Sequence, residues 1–179
     1  MLARWLLRRL GPVALRGPIE VKAERSTRDQ VQRLDASHDG YRDRFGLVHE
    51  RRLRLGADGQ RLEGEDVFVA AAGGIRAKQA VIRFHLAPGI KASRVQGGRV
   101  VMLFLPNREA WQFAASPGEA LLEDSVFFSA PDGARRTEQI VVAVDASETR
   151  SVHWRFERLG QAPDAAAQQR RAEPAPELL

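Results

Sequence analysis

The sequence predicts an all-β protein, an antiparallel two-sheet β-sandwich, and two patterns support this expectation. Apolar and polar residues alternate with a period of two through most of the chain, and turn residues interrupt the alternation at short intervals. Together these patterns indicate about nine short strands with almost no helix, as in a sandwich. A partly open antiparallel barrel is the alternative.

The first half of the chain supplies three of these strands. Residues 31–38 alternate in polarity, and 47–55 form a second strand in which leucines alternate with charged residues. The Ala-Asp-Gly turn at 57–59 leads into a third strand that runs through Leu62. Each strand has one polar face, so we expect each sheet to have one side in water.

The clearest strand lies at 80–87, where Ile82 and Phe84 point one way while Arg83 and His85 point the other. The Gly-Gly pair at 97–98 favours a tight hairpin turn. The remaining strands are predicted at 90–95, 100–105, 111–114, 121–128, 139–144 and 152–157.

Composition narrows the function classes. The net charge is +5, but the arginines are interleaved with Asp and Glu rather than clustered on one face, so nucleic-acid binding is not expected. The chain has no cysteine, which excludes disulfides, thiolate metal sites and a cysteine nucleophile.

The two ends differ from the alternating region. Residues 1–17 form a basic amphipathic segment with helical spacing, predicted as a short N-terminal helix. The segment is too short and interrupted for a membrane span or a signal-peptide core, and membrane contact through residues 1–11 is not expected. Residues 160–179 are rich in Ala, Gln, Glu and Pro and are predicted as a disordered tail. The domain is therefore expected at 18–159.

An unusual pair of polar residues lies on an inward face. In the strand at 47–55, the side that carries the leucines also carries His49 and Arg51. Buried polar groups are costly without partners, so we expect a polar network that includes Asp39, Tyr41 or Asp66. Such a network either fixes strand register or is the remnant of a groove.

A second candidate is the run His38-Asp39-Gly40-Tyr41. A His and a Tyr together could abstract and donate protons in a β-elimination, where the acidic C–H lies α to a uronate carboxylate. A strand that ends in a turn accounts for the same residues without chemistry. The candidate polar cluster is therefore His38, Asp39, Tyr41, His49 and Arg51.

No other signature of chemistry stands out. The four histidines lack the spacing of a metal site, and motifs for a serine nucleophile or a phosphate-binding loop are absent. We predict no metal, no cofactor and no catalytic residue.

Five segments in order resemble the C-terminal domain of bacterial heparinase II/III-like polysaccharide lyases. They read ASHDGY at 36–41, FGLVHERRL at 45–53, LEGED at 62–66, RFHLAP at 83–88 and WRFE at 154–157. The resemblance covers residues 18–159. It implies a β-sandwich, which in this family accompanies an α-helical toroid. The resemblance also implies an activity, because proteins of the family cleave acidic, uronate-containing polysaccharides such as glycosaminoglycans by elimination.

The resemblance also implies limits. The family's H-x-H-x-D and His-Asn-Thr motifs, which supply a catalytic histidine and metal ligands, do not occur in this sequence. The chain is therefore expected to be a truncated domain or split subunit, inactive without a separate α-toroid chain. A periplasmic or cell-envelope location is implied, while a cytoplasmic one stays open because no signal peptide is recognised.

Two further functions remain open. The chain could be a stand-alone module that binds acidic carbohydrate, with Trp111, Trp154 or Tyr41 stacking on sugar rings and arginines neutralising acidic groups. It could also be a purely structural or interaction domain with a membrane-surface helix at its start.

Overall fold

The fold is a sandwich of two antiparallel sheets. The computed structural model describes residues 17–130 and 133–161, in which the strands are β1 (Val21–Arg28), β2 (Val31–His38), β3 (Leu47–Leu55), β4 (Arg61–Ala70), β5 (Gln79–His85), β6 (Lys91–Val95), β7 (Val100–Phe104), β8 (Glu109–Ser116), β9 (Ala120–Ala130), β10 (Gly133–Asp145) and β11 (Ser151–Gln161). One short helix, α1 (Arg42–Phe45), joins β2 to β3, and a 3-10 turn (Gln96–Gly98) joins β6 to β7.

The two sheets differ greatly in size. The large sheet has eight strands in the order β1-β2-β3-β4-β11-β8-β7-β6, and the small sheet has three in the order β5-β10-β9. Strand β5 therefore lies at one edge of the small sheet, where β10 is its only partner among the described residues.

The core lies where the sheets face each other. Strands β10 of the small sheet and β8 of the large sheet contribute Ile140, Val142 and Phe113, all fully buried. Aromatic side chains fill the middle: the ring of Phe84 lies 4.8 Å from that of Trp154 and 4.9 Å from that of Phe113. Burial of such rings is the main source of stability in a sandwich.

The small sheet covers only part of the large one. All eight residues of β1 are exposed, and neither β1 nor β2 contributes to the buried core. Val21, whose parity places it on the core-facing side of this sheet, is 65% exposed, and Ile19, just before the strand, is 91% exposed. The inner face of the β1–β2 hairpin is thus uncovered among the described residues.

The sequence-based fold prediction is confirmed, and the sandwich rather than the barrel is formed. Strands β2 and β3 have the predicted bounds, whereas β1 and α1 were not predicted. The segment predicted at 1–17 lies, apart from Gly17, outside the described residues. The predicted tail also lies outside the described residues from position 162 onward. Strand β11 ends at Gln161, slightly past the domain boundary expected at 159. No helix in the described ranges is long and apolar enough to cross a membrane.

Candidate functional site

A fully buried carboxylate, Asp66 on β4, is the centre of a polar network on the inner face of the large sheet. Strand register places Arg51 of β3 directly opposite it. Arg51 Nε donates to Asp66 Oδ1 at 2.7 Å, and Trp154 Nε1 donates to Oδ2 at 2.7 Å. His49 Nε2 lies 2.6 Å from Oδ1. These bonds offset the cost of burying the charge.

A chain of hydrogen bonds runs from Gly40 through two imidazoles to Asp66. The Gly40 amide donates to His38 Nδ1 at 3.3 Å, so this nitrogen is an acceptor and the proton of His38 is on Nε2. His38 Nε2 then donates to His49 Nδ1 at 3.3 Å, which leaves the His49 proton on Nε2, facing Asp66. Each of the four ring nitrogens therefore has one hydrogen-bond partner.

The pKa directions agree with this assignment. Burial, followed by the proximity of His49, lowers the pKa of His38 and favours its neutral form. Burial acts to raise the pKa of Asp66, but the hydrogen bonds from His49, Arg51 and Trp154 outweigh it, so the pKa is lowered and the carboxylate stays ionised.

Arg51 is held so that one side of its guanidinium is open. Its Nε is bound to Asp66, and its Cζ lies 5.8 Å above the ring of Trp154. Among the described residues, no group accepts a hydrogen bond from its terminal Nη atoms, and the side chain is partly exposed. The Nη fork is therefore a pre-oriented donor pair.

The position of Trp154 depends on a glycine in the neighbouring strand. Trp154 pairs with Gly64 of β4. A Cβ at Gly64 would collide with the indole ring, so only glycine lets the ring lie against the strand and bring its Nε1 to Asp66.

The network borders a cleft of about 470 Å³. One wall is formed by the polar side chains of β2 and β3, and the other by residues of the β5 edge, from Gln79 to Arg83. Tyr41, 45% exposed, lines the cleft, with its ring centre 5.1 Å from that of His38. The volume falls in the range of small-molecule sites.

The predicted cluster is thus mostly assembled, but one member has a different role. His38, Tyr41, His49 and Arg51 line one cleft. Asp39 instead accepts hydrogen bonds from the backbone amides of Ile19 and Glu20, at 2.8 and 3.0 Å, and ties the start of β1 to the end of β2. These backbone bonds lower the pKa of Asp39.

Trp111 and Trp154, the two tryptophans within the described residues, do not form an exposed stacking platform. Trp154 is only 5% exposed and contacts Phe84 in the core, so its predicted contact with carbohydrate is corrected to a structural role. Trp111 is half-buried against the core, with its Nε1 bound to Glu109 at 3.0 Å.

Sequence reasoning named Asp66 as one of three possible partners but did not identify it as the centre. On β11, Trp154 alternates with His153 of the outer face, so its indole points inward and reaches Asp66. Contributions from β5 were not foreseen, because contacts between two sheets leave no local pattern. The described ranges contain no group of three or more His, Cys, Asp or Glu side chains arranged to hold a metal ion.

The family model described as "Heparinase II/III-like, C-terminal" matches residues 3–155. The chain belongs to this family. It is also 34% identical over 140 residues to FtsZ-localized protein C of Caulobacter vibrioides (strain NA1000 / CB15N), a match that covers 74% of this chain and 24% of that protein.

Solved structures share the fold at low sequence identity. Heparan sulfate lyase HepC from Pedobacter heparinus aligns with a TM-score of 0.66 at 9% identity, over 81% of this chain and 22% of that one. A heparinase III structure aligns at 0.60 and 12% identity, over 82% of this chain and 22% of that one. An α-N-acetylgalactosaminidase, NagBb from Bifidobacterium bifidum, aligns at 0.54 and 12% identity, covering 87% and 30%. The chain thus spans less than a third of each of these proteins.

Proposed function

We propose that this domain binds an acidic saccharide in the cleft beside Asp66 and does not carry out elimination by itself. The observation that carries the proposal is the open Nη fork of Arg51, held in place by a buried carboxylate. Membership of the heparinase II/III-like family supports a polysaccharide as the ligand.

Arg51 suits a carboxylate or sulfate group. Its guanidinium loses little conformational freedom on binding, because Asp66 and the Trp154 ring already fix it. Asp66 is the only acidic residue that lines the cleft among the described residues, and it is fully buried. An anionic ligand therefore meets an exposed cation without a competing exposed anion.

Tyr41 supplies an apolar surface beside this cation. Its exposed ring lines the same cleft, where it can stack on the face of a sugar. The combination of a charged anchor and an aromatic ring favours a saccharide over a simple inorganic anion.

Catalysis by the two histidines is not supported. A general base needs a free lone pair within reach of the substrate proton. In the assigned tautomers, the lone pair of His38 accepts from Gly40, and that of His49 accepts from His38. We therefore propose that elimination requires groups outside this chain, such as those of a separate α-toroid.

Binding of heparin and alginate oligosaccharides, measured by titration calorimetry, tests the proposal. We expect Arg51→Lys to weaken binding about tenfold, since lysine keeps the charge but loses the fork. Tyr41→Ala should weaken it about fivefold without unfolding the domain, since the side chain is half exposed.

The matched control is Arg33→Ala, which removes a cation from the outer face of the same sheet. Binding should stay within about twofold of the parent domain. Weaker binding in Arg33→Ala with unchanged binding in Arg51→Lys would mean that only net charge matters, because lysine keeps the charge, and the cleft would not be the site.

Elimination is tested by the ultraviolet absorbance of unsaturated uronate products during incubation with heparin, heparan sulfate or alginate. We expect no product from this chain alone. Product formation would contradict the proposal that elimination requires groups outside this chain. A periplasmic or cell-envelope location is part of this proposal and is tested by cell fractionation.

A second candidate is association with FtsZ assemblies. It is favoured by the relative named FtsZ-localized protein C, whose 34% identity exceeds that of the lyase structures. Co-sedimentation with FtsZ filaments, present with GTP and lost without it, would support this candidate over a purely saccharide-binding role.

A further inference from the structure

We propose that the free edge of β5 is a docking site for an extended segment of a partner protein, which adds to the small sheet as a fourth strand. The segment that fits alternates acidic and apolar residues. This surface uses the backbone of β5 and does not need the Arg51 fork proposed for the saccharide, although both ligands enter the same cleft.

The unpaired backbone groups of β5 can be identified from its register. The Leu86 amide donates to the Glu138 carbonyl at 3.0 Å, and the Ala146 amide donates to the Lys78 carbonyl at 3.0 Å. In an antiparallel ladder, bonded pairs recur at every second residue. The even-numbered residues of β5 therefore bond to β10. The open side carries the N–H and C=O groups of Gln79, Val81, Arg83 and His85.

The space beside this edge is bounded on one side by the inner face of the large sheet. The cleft separates β5 from the inner face of β3 and the end of β2, and the inner face of the β1–β2 hairpin is uncovered. Leu34 and Ala36 of β2 are only half-buried there, and Val21 of β1 is largely exposed. Apolar side chains on one side of an added strand would cover these residues.

The other side of an added strand would meet a cation. Arg83 points away from the core, and Val141 is its partner on β10. No carboxylate of a described residue lies within ion-pair distance of Arg83. An acidic residue opposite it would form a cross-strand pair of opposite charge, which stabilises strand pairing. An added strand with apolar residues on its inner side and an acidic residue opposite Arg83 on its outer side therefore fits this edge.

The probe is a labelled synthetic peptide of alternating Val and Glu, and a Val–Lys peptide of the same length is its control. We expect fluorescence anisotropy to report binding of the Val–Glu peptide and at least about tenfold weaker binding of the Val–Lys peptide. Equal affinity for both peptides would overturn the assignment of acidic residues.

Val81→Pro tests the edge itself. The Val81 amide faces the open side, so proline removes an edge donor without removing a bond to β10. Binding should fall at least about tenfold, while Val81→Ala, which keeps the amide, should stay within about twofold. Unchanged binding in Val81→Pro would exclude strand addition.

A charge exchange decides the matter if Val81→Pro does not fold. Arg83→Glu should weaken binding of the Val–Glu peptide about fivefold and strengthen binding of the Val–Lys peptide. Failure to exchange preference contradicts the proposal. So does a concentration-dependent dimer in size-exclusion chromatography with light scattering that the Val–Glu peptide does not dissociate, because a second copy would then fill the edge. Loss of saccharide binding in Arg51→Lys, with peptide binding retained, separates the β5 edge from the Arg51 fork.

Discussion

At the scale of single residues, the hydrogen bonds around Asp66 fix the protonation of two histidines. Each ring nitrogen of His38 and His49 has one partner, and the direction of the chain is set at one end by the Gly40 amide. An amide can only donate, and an ionised carboxylate can only accept. Both histidines must therefore be Nε2–H tautomers.

This assignment predicts the nitrogen chemical shifts of both rings. In long-range ¹H–¹⁵N spectra at neutral pH, His38 and His49 should each show one protonated Nε2 and one unprotonated Nδ1. His153, whose side chain is 66% exposed and whose Nε2 lies 3.6 Å from Glu65 Oε1, supplies the internal reference for a surface ring. An Nδ1–H tautomer at His38 would break the Gly40 contact and disprove the directional chain.

Much of this network followed from parity within a strand. His49 and Arg51 were expected to need buried partners because they share a face with the leucines of β3, and both now contact Asp66. Trp154 obeys the same parity rule on β11, and its assignment to a sugar surface was wrong for that reason. The need for Gly64 beneath the indole could not be predicted, because it depends on which two strands become neighbours.

At the scale of elements, the connection from β2 to β3 is organised by one carboxylate. Asp39 binds the amides of Ile19 and Glu20 and so joins the segment before β1 to the loop that carries Tyr41. The positive φ of Gly46, 70°, then ends α1 and returns the chain to β3.

Replacing Asp39 should loosen the entry to β1 without changing the core. In Asp39→Ala, heteronuclear NOE values at Ile19 and Glu20 should fall, because two amides lose their acceptor. Asp39→Asn, which keeps an acceptor oxygen, should change them less. A fall of equal size at Val142 in the core would show a global effect instead and would contradict this local role.

The strands differ in how well they can be predicted from their sequences. Strand β3 has leucines on one face and charges on the other, and its predicted bounds agree with those observed. Strand β1 has no such alternation, since all eight of its residues are exposed and neither face is under pressure to be apolar. Hydrophobic pattern detects burial, so a strand buried on neither face escapes it.

At the scale of the whole molecule, the charged network makes stability depend on pH in two steps. The pKa of His38 is lowered from 6.5 and that of Asp66 from 3.8, so both groups bind protons more readily in the unfolded chain. The contribution of His38 to the free energy of unfolding is fully present above pH 6.5 and is lost as the pH falls below that value. The contribution of Asp66 is lost only as the pH falls below 3.8.

The expected result is a melting temperature that is constant above about pH 7 and declines towards about pH 4, measured by circular dichroism. His38→Asn should lower the melting temperature at neutral pH and flatten the decline near pH 6.5. His153→Asn, on the exposed outer face, is the matched control and should leave the curve unchanged. An identical decline in His38→Asn would assign the transition to other groups.

The unequal size of the two sheets also divides the domain dynamically. The β1–β2 hairpin is held by backbone bonds to β3 and by contacts at its end, but it has no opposing sheet beneath it. Such an element can open as a separate cooperative unit, with a free energy well below that of global unfolding. Native-state hydrogen exchange would then divide one continuous sheet into a fast-exchanging hairpin and a slow centre. A strand docked on β5 would cover the inner face of the hairpin and slow its hydrogen exchange. The exchange rate of the least stable part of the fold would therefore measure binding of a partner.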